Sequence, residues 1–131
     1  MPLQVEIVSP EAVLYSGEAE MVVCRTSDGE IAFLAGHEPF AGALGIAKVR
    51  AKLADGSEEV AAVHGGFVEV RDDRVVILSD VAELPQQIDL DRARAAKARV
   101  DQTVGAGDAT DEQDAALARA DLRLEVGGSS R

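Results

Sequence analysis

Four arginines in the last third of the chain are spaced as phosphate ligands would be. Arg92 and Arg99 are seven residues apart and so share one face of a helix; Arg119 and Arg123 are four apart and share a face of another. If those helices fold back on each other, the two pairs converge on a triphosphate, which guanidinium groups hold through charge-assisted hydrogen bonds. The plainer alternative is that Asp89 caps a helix whose basic face is solvated.

Other residues carry weaker signals. His64-Gly65-Gly66 resembles half of an oxyanion-hole motif, but a hydrolase also needs a Gly-x-Ser-x-Gly elbow and a third triad member, and the sequence has neither. The two glycines are read instead as a bulge or a close strand crossing. Glu30 and His37 flank a turn-rich stretch, where an exposed acid and a histidine can meet a polar loop of a partner. Alternatively, His37 bonds only its own backbone. Cys24 stands alone between Met-Val-Val and Arg-Thr, as an inert buried thiol in a strand would. There is no phosphate-binding loop and no metal-ligand cluster, so neither catalysis nor a metal is expected.

Composition narrows the partners. The net charge is -11, which opposes nucleic acid and anionic lipid alike. The 47% hydrophobic content supports a folded core, built from Val, Leu, Ile and Ala because only four aromatic residues are present. No stretch approaches the ~20 apolar residues of a membrane span, and no basic-then-apolar leader is visible. Direct membrane insertion is therefore not expected, and the chain is placed on a cytosolic face.

The elements that must position these residues fall into two sets. Period-two alternation and frequent turns mark short strands over 3–8, 20–26, 31–34, 46–53, 59–63, 67–70 and 75–78, with turns at Ser27–Glu30, Asp55-Gly56 and Asp72-Asp73. Strands of this kind imply an antiparallel β-sandwich or barrel. After Pro85 the period changes. One helix opens after Asp89 and runs to about Val104, ending at Gly105-Ala106-Gly107. Thr110 and Gln113 form a capping box for a second, which ends near Val126 at Gly127-Gly128 and leaves Ser129-Ser130-Arg131 frayed. Leu90, Ala93, Ala96 and Val100 line the first helix; Leu117, Ala120 and Leu124 line the second. Such thin stripes gain only a few kcal/mol on docking at ~25 cal/mol per Å², so the hairpin is expected to detach at modest cost. The fold is thus mixed α and β, with an N-terminal sandwich over 1–84 and a C-terminal two-helix hairpin over 85–131. The sandwich carries 15 acidic and 6 basic residues, the hairpin region 9 and 7.

Several local motifs then follow one another in a telling order: Val8-Ser9-Pro10-Glu11, Leu14-Tyr15-Ser16-Gly17, Asp28-Gly29-Glu30-Ile31, Leu34-Ala35-Gly36-His37-Glu38-Pro39, Gly65-Gly66-Phe67-Val68-Glu69-Val70, Val76-Ile77-Leu78, Ala82-Glu83 and Ile88-Asp89 with Arg92-Ala93. The ordered set resembles the epsilon subunit of the bacterial-type rotary ATP synthase, closely over 3 to about 100 and in outline beyond. The resemblance implies a non-catalytic central-stalk subunit that couples proton translocation to ATP synthesis. Its sandwich would bind the gamma subunit and the ring of c subunits, peripherally on the cytoplasmic face of the bacterial plasma membrane. Its hairpin would permit ATP hydrolysis when folded and restrain it when extended along gamma towards alpha and beta. Glu30 and His37 match positions that meet the c ring, although Ala35 stands where that family usually has Pro. Ile88, Asp89, Arg92 and Ala93, with Glu83 and Arg99, match the motif through which some members bind a regulatory ATP; no cofactor is otherwise required. One departure bears on inhibition. Residues 111–125 hold five acids against two arginines, whereas the family presents basic residues there to an acidic loop of beta. Inhibition is therefore expected to be weak, or to rest on Arg92, Arg94, Lys97 and Arg99. A free-standing nucleotide-sensing module and a small β-sandwich enzyme are the competing readings.

Overall fold

The computed structural model describes residues 2–104 and 110–129. Eight strands come first: β1 (Leu3–Val8), β2 (Val13–Ala19), β3 (Met21–Thr26), β4 (Gly29–Leu34), β5 (Phe40–Lys52), β6 (Glu58–Arg71), β7 (Arg74–Leu78) and β8 (Ala82–Glu83). A single 3-10 turn, Pro85–Gln87, leads to helices α1 (Leu90–Val104) and α2 (Asp111–Ser129). Pairing runs β2-β1-β7-β6-β5-β3-β4, with β8 added beside β6. All of these pairings are antiparallel except β1 with β7, where Gln4 to Val8 run alongside Arg74 to Leu78 in the same direction. Hydrogen bonding is continuous because the two longest strands serve both layers of the sandwich. β6 pairs with β8 at Ala62 and Val63, and with β7 from Phe67 onward.

Two strands expected over 59–63 and 67–70 are thus one. The glycines between them kink the strand without ending it, with φ of +81° at Gly65 and +134° at Gly66. A Cβ on Gly66 would lie 2.2 Å from the Leu78 carbonyl oxygen, so only glycine allows β6 and β7 to approach this closely. Likewise β5 begins at Phe40, six residues before the strand expected there. β2 and the two-residue β8 were not anticipated. Turn chemistry was more legible: Asp72 and Asp73 both take positive φ, 52° and 59°, as a tight hairpin requires.

The alternating residues Leu3, Val5 and Ile7, Val22 and Cys24, Val49 and Ala51, Ala61 and Val63, Val68 and Val70, and Val75 and Ile77 fill the core with Phe33 and Leu44. The opposite face of β5 and β6 is covered by the hairpin. There Ala62, Ile88, Leu122 and Val126 are buried against one another, and Ile46, Val60 and Leu90 pack around them. β6 is therefore buried on both faces near Val60–Val63. This also explains the uneven alternation in 46–53: Ile46 belongs to the hairpin side, Val49 to the core.

Both helix starts form as their sequences specify. The Arg92 amide donates to Asp89 Oδ1 at 3.1 Å. The Thr110 amide donates to Gln113 Oε1 at 2.8 Å, and the Gln113 amide donates to Thr110 Oγ1 at 3.1 Å. The stop expected at Gly127-Gly128 does not occur, and α2 continues to Ser129. The reason is tertiary. A Cβ on Gly127 would sit 2.9 Å from Leu90 Cδ2 and 3.1 Å from Ile88 Cγ2, so the glycine lets the last turn lie flat on the seam. That packing outweighs a helical penalty of ~1 kcal/mol. Ala93 and Ala120 are buried as expected, but Leu122 and Val126, absent from the expected stripe, carry the contact with the sandwich. Gly105, Ala106, Gly107, Ser130 and Arg131 lie outside the described residues.

Candidate functional site

A cleft of about 390 Å³ opens where the hairpin meets the sandwich, lined by Glu83, Gln87, Asp89, Arg92, Ala93, Ala96, Arg99 and Arg123. Its volume falls in the ~300–1,000 Å³ range of small-molecule sites. β8 delivers Glu83, the capping residue Asp89 opens α1, one face of α1 presents Arg92 and Arg99, and α2 returns Arg123 from the other side. Three guanidinium groups and two carboxylates thus share one cleft, leaving it one positive charge in excess. Chemically this suits an anion that also carries hydrogen-bond donors.

The structure separates the remaining members of the expected set. Ile88 is 2% exposed and packs with Ala62, Leu122 and Val126, not in the cleft wall. Arg119 does not line it and pairs with Glu112 at 3.7 Å. Asp89 already caps α1 through one oxygen. Arg123 is also committed, since its Nε donates to Glu83 Oε1 at 2.7 Å. An incoming phosphate would have to share Arg123 with Glu83 or take it over.

His64 is the residue that motif reading missed. Its Nε2 lies 2.9 Å from the same Glu83 oxygen. Burial pushes its pKa below the ordinary value, with Arg123 and Arg119 acting in the same direction and Glu83 against it. The glycines beside it give the close strand approach, not a bulge: the register with β5 does not shift across them. A signal was available: Val60, Ala62 and His64 share the hairpin-facing phase of β6.

Two of the acids that made the second helix look repulsive have partners on other elements. Lys48 Nζ is 2.8 Å from Glu125 Oε1, tying β5 to α2. Lys97 Nζ is 2.9 Å from Asp121 Oδ1, tying α1 to α2. The carboxylate of Asp121 raises the pKa of Lys97. Both pairs are exposed, so each orients the hairpin more than it stabilises it.

Glu30 and His37 do not come together. Glu30 pairs in register with Arg25 beside the β3–β4 turn, and Leu34 pairs with Met21 at the far end of β4. Its carboxylate lies 3.5 Å from Arg50 and 3.7 Å from Arg25. His37 lies beyond Leu34, its Nδ1–H donating to the Glu38 carbonyl at 2.7 Å and its ring edge-on to Phe33. Cys24 is buried, and desolvation pushes its thiol up to about 11. Among the described residues no group of His, Cys, Asp or Glu is placed to hold a metal ion, and no helix is long and apolar enough to cross a membrane.

The class of protein is a β-sandwich with a helical hairpin clasped over one face and an arginine-walled cleft at the seam. Comparison with known proteins makes the class specific. Residues 2–85 match the family model of the ATP synthase delta/epsilon chain β-sandwich domain. The chain is 43% identical over 126 residues to the ATP synthase epsilon chain of Shouchella clausii, spanning 95% of this chain and 93% of that one. It is 50% identical over 99 residues to the epsilon chain of Alkalihalophilus pseudofirmus, covering 76% and 74% of the two chains. Two solved structures share the fold. They are a chain of the Euglena gracilis mitochondrial ATP synthase (TM-score 0.71, 20% identity, 97% of this chain and 78% of that one) and one from the Tetrahymena thermophila central stalk and c ring (TM-score 0.55, 15% identity, 99% and 96%). The chain belongs to the ATP synthase epsilon-chain family, whose members are non-catalytic subunits of that enzyme.

Proposed function

We propose that the chain is a central-stalk rotor subunit whose hairpin is held down by ATP. In this reading the sandwich, residues 1–84, binds gamma and the c ring and turns with them, coupling proton translocation to ATP synthesis at the cytoplasmic face of the bacterial plasma membrane. The hairpin, residues 85–131, permits hydrolysis while docked and restrains it when extended towards alpha and beta. The convergence of Arg92 and Arg99 from α1 with Arg123 from α2 carries the nucleotide part: a triphosphate bridging them favours the docked state. Asp89 and Glu83 supply acceptors for the base, Ala93 keeps the wall low, and Ile88 anchors the hairpin.

Family membership supports the partners. Phe67, Leu78 and Val81, 44%, 46% and 44% exposed, give the sandwich an apolar surface suited to gamma. Glu30 and His37 would touch the c ring as separate contacts, given their separation in the fold.

The test combines binding and rate. The chain is added to a cognate assembly of alpha, beta and gamma, and co-elution and ATPase rate are followed with and without the chain. Co-elution is the expected result, with a rate that falls only where ATP is low enough to leave the hairpin undocked. Failure to co-elute overturns the rotor reading. A flat calorimetric titration of the isolated chain at millimolar ATP overturns the nucleotide reading alone.

A further inference from the structure

The seam between β6, β8 and α2 contains a buried histidine that the nucleotide reading does not use. The His64 side chain is 2% exposed. Its backbone amide donates to the Val81 carbonyl at 3.0 Å, which fixes β6 against the segment leading into β8. Glu83 Oε1 receives both His64 Nε2 at 2.9 Å and Arg123 Nε at 2.7 Å. His64 Nδ1 is buried with no hydrogen-bond partner among the described residues.

These contacts assign the proton. Because Nε2 faces a carboxylate, it carries the hydrogen and Nδ1 is left as a bare acceptor. With the ring neutral, His64, Glu83 and Arg123 sum to zero charge. Protonating Nδ1 would bury an N–H with no acceptor and add a cation beside Arg123, both costly out of water. The charged groups facing the ring are Glu83 from β8 and Arg123 and Arg119 from α2. β5 places apolar Ile46 across from it in register, and Asp89, Arg92 and Arg99 lie in the cleft beyond Glu83.

We propose that His64 is a proton-sensitive strut for the hairpin: neutral, it braces Glu83 against Arg123 and keeps α2 docked; protonated, it favours release. The proposal rests on the detachable hairpin of the preceding reading and adds the proton as a second effector at the same seam. When α2 leaves, water reaches the ring, Arg123 withdraws, and Glu83 becomes an undivided counter-ion for the imidazolium. The released state therefore binds the proton more readily than the docked state. Docking is strongest above the ordinary histidine pKa, and it weakens as pH falls below that value towards the depressed value of the docked state. One linked proton changes the docked-to-released ratio by up to about tenfold per pH unit in that window.

The experiment uses the whole chain alone, without nucleotide or other subunits. Cys24→Ala removes the native thiol, and Asp28→Cys with Asp114→Cys carry a spin-label pair across the β3–β4 turn and α2. The docked fraction is then read from about pH 7.5 to about pH 5.5, above the range where ordinary carboxylates titrate. The docked-to-released ratio should fall several-fold, by no more than about tenfold per pH unit, and by less than about twofold in His64→Gln. A flat profile in the parent, or an equal loss in His64→Gln, overturns the proposal. Should His64→Gln not fold, the imidazole is followed by NMR in His37→Gln, which leaves a single histidine. A ring protonated on Nε2 whose titration tracks α2 release is expected; an ordinary titration with α2 unmoved overturns the proposal. Since no ATP is present, failure of the nucleotide reading leaves these outcomes intact, and a pH-independent hairpin leaves the nucleotide reading standing.

Discussion

Single residues here act mainly through what they hold in place. Asp89 is the simplest example. Asp89→Ala removes the cap on α1 and should cost about 1 kcal/mol of hairpin stability, whereas Asp89→Asn should retain most of it. Differential scanning of the hairpin transition separates the two. If nucleotide binding also needs the acceptor, Asp89→Asn keeps the fold and loses affinity. Cys24 gives a pH prediction of opposite sign to that of His64. Its thiol is raised from 9.0 to about 11 by burial, so the folded chain keeps a proton that the unfolded chain loses. Stability should therefore fall as pH climbs through that window, and Cys24→Ala should lose that slope in alkaline denaturation. The caps were legible in the sequence because donor and acceptor are three residues apart. The His64–Glu83–Arg123 cluster was not, because its members are 19 and 40 residues apart and meet only after the hairpin folds back.

At the scale of elements, α2 is held by a small apolar contact and three polar ties. Leu122 and Val126 bury against Ala62 and Ile88, and Leu122→Ala should weaken docking by about 2–3 kcal/mol, near the low end for leucine truncation. Gly127 offers a sharper comparison with its neighbour. Gly127→Val drives a branched side chain into Ile88 and Leu90, while a Cβ at Gly128 meets nothing within 4 Å. Amide exchange should show α2 deprotected in Gly127→Val and protected in Gly128→Ala, with β3 and β6 unchanged in both. Equal protection in the two variants would mean that the last turn does not set docking. The glycine pair also marks how far local rules reach. By propensity it ends a helix; Ile88 and Leu90, which need its flat face, keep the helix going. In the same way, strand alternation located the strand at 46–53, but its uneven phase came from Ile46, whose cover is supplied by another part of the chain, while Val49 faces the core.

The whole molecule carries a net charge of -11, and its docked hairpin uses part of its acidity internally. Glu125 pairs with Lys48 only while α2 lies on the sandwich, and Asp121 with Lys97 only while α2 lies on α1. If the hairpin extends as proposed, the second helix presents those carboxylates to its surroundings. If its target on the catalytic head is acidic, as the family resemblance implies, repulsion opposes engagement and salt screens it. Inhibition of the reconstituted ATPase should then deepen as ionic strength rises from about 50 to about 300 mM; an inhibition that salt relieves would indicate a basic receiving surface. The topology adds a temporal order. β1 is paired on one side by β2 at once, but on the other by β7, with Gln4 beside Arg74, so it waits for seventy further residues. Strands that precede β7 can pair only into two separate pieces, β2-β1 and β6-β5-β3-β4, so joining them through β7 is a late, long-range event of the kind that slows folding. The hairpin emerges after that event. It adds to a body whose strand pairing it does not complete, so a hairpin that detaches as proposed above would leave that body intact.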